Sequence, residues 1–161
     1  MWNKLKPYLL PVGIGVAISL GVGALAAILT RESMNIYETL NTPPLSPPAI
    51  LFPIVWSVLY ILMGVSAGVV YVNRYLSELD ARAGLKSFAI SLVFNFAWSI
   101  IFFNLRSPLA AFVCLAILLY LIIKTIVSYF KVIPVASYLQ IPYAAWVLFA
   151  GYLNLGIYFL N

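Results

Sequence analysis

The sequence contains five apolar runs, at about 8–29, 50–75, 84–105, 108–130 and 134–159, each long enough to cross a bilayer, which takes roughly 20 helical residues. Lipid offers the backbone no hydrogen bonds, so each run must satisfy its own N–H and C=O groups, and a helix does this. Of the 161 residues 65% are hydrophobic and 8% charged, against roughly 25% charged in soluble domains, so the apolar surface is too large to hide in a soluble core. The expected fold is an all-α integral membrane protein, a five-transmembrane-helix bundle forming one domain over 1–161. The last three runs are joined by only a few residues, which makes those neighbours antiparallel hairpins.

Lys4 and Lys6 precede the first run, which is too long for the apolar core of a secretory signal, about 7–15 residues, and reads as a retained helix. Within it Gly13, Ala17 and Gly21 form one column of small residues, and Gly15, Ser19, Gly23 and Ala27 form a second. Such columns let helices approach closely, either inside the bundle or across a homodimer seam. Placing the N-terminus, the second-to-third connection and the fourth-to-fifth connection on one side gathers Lys4, Lys6, Arg74, Arg82, Lys86, Lys124 and Lys131, with only Arg31 and Arg106 opposite. Basic residues favour the cytoplasm, so the N-terminus is expected inside and the C-terminus outside. The net charge of +5 is spread over the ends of the runs and has this topological meaning; no nucleic-acid partner is expected. Lys124 lies within the fourth helix and snorkels to the inner surface.

The single Cys114 excludes an internal disulfide framework, and the absence of histidine removes the commonest metal ligand and proton shuttle. Neither a metal site, a cofactor nor a conventional catalytic set is expected. Glu32, Glu38, Glu78 and Asp80 all fall in connections, leaving no buried acid for proton-coupled transport.

The first connection, about 30–49, is of a different kind. Pro43, Pro44, Pro47, Pro48 and Pro53 stiffen it by fixing φ and extending the residue before each ring. A helix starts near Pro53, where a missing N–H is harmless, and Trp56 and Tyr60 then share one of its faces. Trp2 is expected to anchor at the interface. Counted at about 1.5 Å per residue, Trp56 and Trp98 lie roughly 10 Å below the outer ends of their helices and Trp146 about 20 Å below its own. These indoles are too deep for anchoring alone, and each N–H needs a partner or a polar cavity. Ser91, Asn95 and Ser99 form a polar column near Trp98, facing protein or a cavity. Pro142 is expected to kink the fifth helix one turn before Trp146, with the small Ala150 beside that indole.

The segments PPAILFPIVWSVLY, FNFAWSIIFF and IPYAAWVLFAGYLN resemble the signature segments of the translocator protein family, the tryptophan-rich sensory proteins (TspO) of bacteria and the related mitochondrial peripheral-type benzodiazepine receptor. The resemblance covers nearly the whole chain. It implies a five-helix bundle in a membrane, here the bacterial cell membrane, commonly a homodimer, with an outer pocket covered by the first connection. The implied partners are protoporphyrin IX, other hydrophobic small molecules and the bilayer. The implied ligand-binding residues are Tyr37, Pro47, Trp56, Tyr60, Asn95, Trp98, Trp146 and Ala150, with Cys114 as a neighbour. Should porphyrin be degraded in light, the residues implicated are Trp56 and Trp146. The chain departs from the family pattern at Ile36 and Leu45, where tryptophan is frequent, and nothing basic follows Tyr152 or Tyr158, as a vertebrate cholesterol motif requires. The expected function is a membrane receptor for porphyrins, with light- and oxygen-dependent porphyrin breakdown or facilitated tetrapyrrole transport as alternatives.

Overall fold

A computed structural model describes residues 2–33 and 36–161. The expectations for the side chains of Trp2, Lys4, Ile36 and Glu38 lie outside the described residues. The helices are α1 (Trp2–Thr30), a short α2 (Ile36–Thr39), α3 (Leu51–Val72), α4 (Glu78–Ser99), α5 (Pro108–Val132), a short α6 (Pro134–Tyr138) and α7 (Ile141–Leu160). Among the described residues there are five spans long and apolar enough to cross a membrane, α6 and α7 forming the last together, and no strand.

Several boundaries differ from the sequence reading, α1 starting at Trp2 rather than near Tyr8 among them. α4 begins at Glu78, six residues before the apolar run: Ser77 is extended and its hydroxyl donates to Asp80 at 2.8 Å, while Glu78 and Asp80 complement the positive end of the helix dipole. Those first turns are helical but polar, so hydropathy alone does not reveal them. The fifth span is broken at Leu139–Gln140 rather than kinked. Pro142 falls in the first turn of α7, where no N–H is required of it.

The break buries Gln140, whose side-chain oxygen and nitrogen both lack a partner among the described residues. A buried amide left unpaired carries its full desolvation penalty, on the order of 1–3 kcal/mol. Gln140→Leu is therefore expected to raise the midpoint of thermal unfolding in detergent, and a lowered midpoint would show that the amide is engaged.

α4, α5 and α7 pack into a core that α3 closes, and α1 lies on the outside of α3. Only 11% of the apolar stretch of α1 is buried, against 50% of that of α3, so α1 is a peripheral wall. Its attachment depends on absent side chains. A Cβ on Gly64 would overlap the backbone of Gly15 and Val16, and one on Gly15 would overlap the Gly64 carbonyl. The Gly15 column thus packs within the bundle, whereas Gly13 and Gly21, of the other column, meet nothing of this chain.

The first connection runs down the side of α7. Asn41 and Asn161 exchange two hydrogen bonds, of 3.0 and 2.9 Å, Pro43 lies against Gly156, and the Tyr152 hydroxyl donates to the Pro44 carbonyl at 2.8 Å. Phe52, at the start of α3, then meets Trp146 at a ring separation of 6.0 Å. From Asn161 to Trp146 is 15 residues, about 22 Å of helix, so α3 starts well below the end of α7.

Candidate functional site

Because α3 starts low, Trp56 reaches the centre of the bundle. Its ring stacks on Tyr60 at 5.6 Å, lies 5.7 Å from Trp98 and meets the edge of Tyr143 at 6.1 Å. Trp98 continues onto Phe102 at 6.0 Å and Phe103 at 6.3 Å. These last two rings lie in a single widened turn, Ile100–Asn104, closed by the π-type bond from the Leu105 N–H to the Ile100 carbonyl at 3.0 Å. Such turns recur at functional sites because they re-aim the side chains that follow.

Between this aromatic group and α1 is a cavity of about 290 Å³. Phe52, Pro53, Trp56, Ser57 and Tyr60 line it from α3, Trp98, Ser99 and Phe103 from α4 and its widened turn, and Leu20, Gly23, Ala24, Ala26, Ala27 and Thr30 from α1. Ser57 and Thr30 spend their hydroxyl donors on Pro53 and Ala26 carbonyls in their own helices, at 2.7 and 2.9 Å. The lining is therefore apolar and aromatic in character, as ligand sites for hydrophobic molecules are.

Behind the rings lies a buried polar layer. The Tyr60 hydroxyl donates to Asn95 Oδ1 at 2.6 Å, and Asn95 Nδ2 donates to the Tyr143 oxygen at 3.1 Å, joining α3, α4 and α7. The Trp98 indole N–H donates to Asn154 Oδ1 at 3.4 Å, and Asn154 Nδ2 donates to the Ala150 carbonyl at 2.8 Å. Asn95→Leu removes the acceptor of the Tyr60 hydroxyl and a donor to the Tyr143 oxygen at once, both at buried positions. We expect a stability loss of about 2–4 kcal/mol, read as a lowered unfolding midpoint.

Of the residues singled out in the sequence, Trp56, Tyr60 and Trp98 line the cavity directly. Tyr37 reaches it through Phe52, which it meets edge-on at 5.1 Å, and its hydroxyl donates to the Pro47 carbonyl at 3.4 Å. Burial raises the Tyr37 phenol above its usual pKa, against a smaller opposing effect of the Ser46 hydroxyl, so it is neutral at physiological pH. Asn95 and Ala150 lie in the polar layer, one remove from the lining. Trp146 lies behind Phe52, its buried indole N–H without a partner among the described residues, and Cys114 is outside the lining, its thiol donating to the Phe94 carbonyl at 3.4 Å. The α1 wall, Phe52 and Phe103 were not anticipated. The Gly15, Ser19, Gly23, Ala27 column was the available signal for the first, and Phe103, four residues beyond Ser99, for the last. Leu45, in left-handed backbone at φ 68°, is 85% exposed and contributes nothing to the lining.

Five membrane-spanning helices, an apolar aromatic cleft between α1, α3 and α4, and a proline-rich connection laid along the last span define a polytopic α-helical membrane protein with a small-molecule-sized cleft at one side of its bundle. The chain belongs to the TspO/MBR family, whose sequence profile matches residues 15–160. It is 36% identical to the tryptophan-rich protein TspO of Chlorobaculum tepidum over 154 residues, 95% of this chain and 97% of that one. It is similar also to the protein CrtK of Rhodobacter capsulatus, 35% identical over 86% of this chain and 85% of that one. The translocator protein of Bos taurus is 34% identical over 92% of this chain and 88% of its own length.

Proposed function

We propose that the chain is a membrane receptor for flat, hydrophobic tetrapyrroles such as protoporphyrin IX. The observation that carries this reading is the continuous run of rings from Tyr60 through Trp56 and Trp98 along one wall of an apolar cavity. A planar macrocycle gains most from such a wall, since offset or edge contacts with aromatic rings add to simple burial. A porphyrin exceeds the cavity's 290 Å³, so one edge of the macrocycle enters and the α1 wall, attached mainly to α3, moves to admit it.

With no histidine in the chain, haem iron finds no imidazole. The metal-free ring is expected to bind at least as tightly as haem, and bound haem to lack the absorption spectrum of a ligated iron. The test of the reading is titration of purified protein with protoporphyrin IX while following tryptophan fluorescence. Saturable quenching is expected in the wild type, and less porphyrin absorbance is expected to be retained on purified Trp98→Ala; linear, unsaturable quenching of the wild type would overturn it.

The same proposal places the N-terminus in the cytoplasm, from the seven-to-two division of basic residues, and pairs two copies through the open Gly13, Ala17, Gly21 face of α1. An Ala17→Cys variant in a Cys114→Ser background is expected to cross-link between copies.

A further inference from the structure

At the end of the bundle opposite the aromatic cavity, α3 passes through a single 3-10 turn, Arg74–Leu76, into α4. Between the two helices is a second groove, of about 640 Å³, more than twice the volume of the first. Its floor is apolar, with Val72, Ala81 and Leu85, and its walls carry Tyr71 and Tyr75. Arg74 and Arg82 stand on it together with a single acid, Glu78.

The two guanidinium groups are held differently. Arg74 donates to the Tyr71 carbonyl at 2.6 Å, and its guanidinium lies 4.2 Å over the Tyr71 ring. This fixes a planar, permanently charged group while committing one of its five donors to the carbonyl. Arg82 pairs with Glu78 at 2.6 Å, but the side chains are 78% and 65% exposed, and an exposed pair one helical turn apart is weak enough for another anion to share. Two cations against one carboxylate leave the groove net positive. Tyr75, on its wall, is 76% exposed, in the manner of aromatic residues at headgroup level.

We propose that this groove binds the headgroup of an anionic phospholipid, its phosphate between Arg74 and Arg82 and its acyl chains passing over Tyr71 and Leu85 toward the bilayer. A free anion would use the guanidinium groups and leave the apolar floor unfilled; a zwitterionic lipid would bring a cation against two arginines. The inference does not depend on what occupies the aromatic cavity.

The test measures the unfolding midpoint of full-length protein in detergent as phosphatidylglycerol, phosphatidylcholine or inorganic phosphate is added. Phosphatidylglycerol is expected to raise the midpoint saturably in the wild type, while the other two at the same concentration leave it unchanged. Arg74→Gln/Arg82→Gln is expected to need about 30-fold more phosphatidylglycerol for the same shift, and Arg74→Gln alone about 5-fold more. The single variant keeps the Arg82–Glu78 pair and supplies the reading should the double variant not fold. Arg106→Gln, at the other end of the bundle, is expected to respond as the wild type does. Equal shifts with the two lipids, an equal shift with inorganic phosphate, or a wild-type response from the Arg74 variants would overturn the proposal.

Discussion

Trp56→Ala is expected to weaken protoporphyrin IX binding by about 30- to 150-fold while leaving the helical content unchanged. Trp56 is the ring shared by Tyr60, Trp98 and Tyr143, and it is half-buried, with its free surface on the cavity. Truncation removes an aromatic anchor of the kind that dominates binding, worth about 2–3 kcal/mol, and leaves Tyr60 and Trp98 without the ring between them. Titration by fluorescence is compromised when a tryptophan is removed, so the measurement is equilibrium retention of porphyrin absorbance on the purified protein. Trp146→Ala, behind Phe52 and outside the lining, is expected to lose less than Trp56→Ala. Equal losses from the two variants would move the binding surface toward α7 and away from the cavity between α1 and α3.

Gly64→Leu is expected to have the largest effect on stability, about 3 kcal/mol or more, because the added side chain meets backbone rather than a movable side chain. α1 must back away from α3, and with it goes one wall of the cavity, so porphyrin retention falls along with the unfolding midpoint. Gly13→Leu, on the face of α1 where a Cβ meets nothing of this chain, is the control and is expected to change the stability of the isolated chain by less than about 0.5 kcal/mol. A Gly64→Leu protein with wild-type stability would show that α1 is not held by this crossing.

These two residues show how far the sequence could be read. Trp56 and Tyr60 were legible as a shared face because proline punctuation marks where α3 begins, and one helical turn is a local matter. Gly64 was not, because nothing local distinguishes a small residue that touches another backbone from one that faces lipid. The two columns on α1 have the same chemistry, and only the crossing with α3 separates Gly15, packed on Gly64, from Gly13. Depth failed for a related reason. Counting inward from helix ends assumes that all helices end at one level, whereas the connection descends along α7 from Asn161 to Trp146 before α3 starts. That descent brings Trp56 beside Tyr143 and leaves Trp146 behind Phe52. Asn95 was legible as inward-facing, since a carboxamide in lipid must turn inward, but its partners on two other helices were beyond local pattern.

The widened turn at Ile100–Asn104 acts as a phase shifter. An extra residue in one turn advances everything beyond it by about 100° around the helix axis. Trp98 precedes the shift and faces the cavity; Asn104 is the last residue of the turn and donates to the Leu29 carbonyl at 3.1 Å, holding the end of α1. Deleting one residue between these points would return the segment to ordinary helix and rotate Asn104 off α1 without disturbing Trp98. Insertions and deletions within these five positions thus reset the angle between the ligand wall and the α1 tether, whereas substitutions change only what each surface carries.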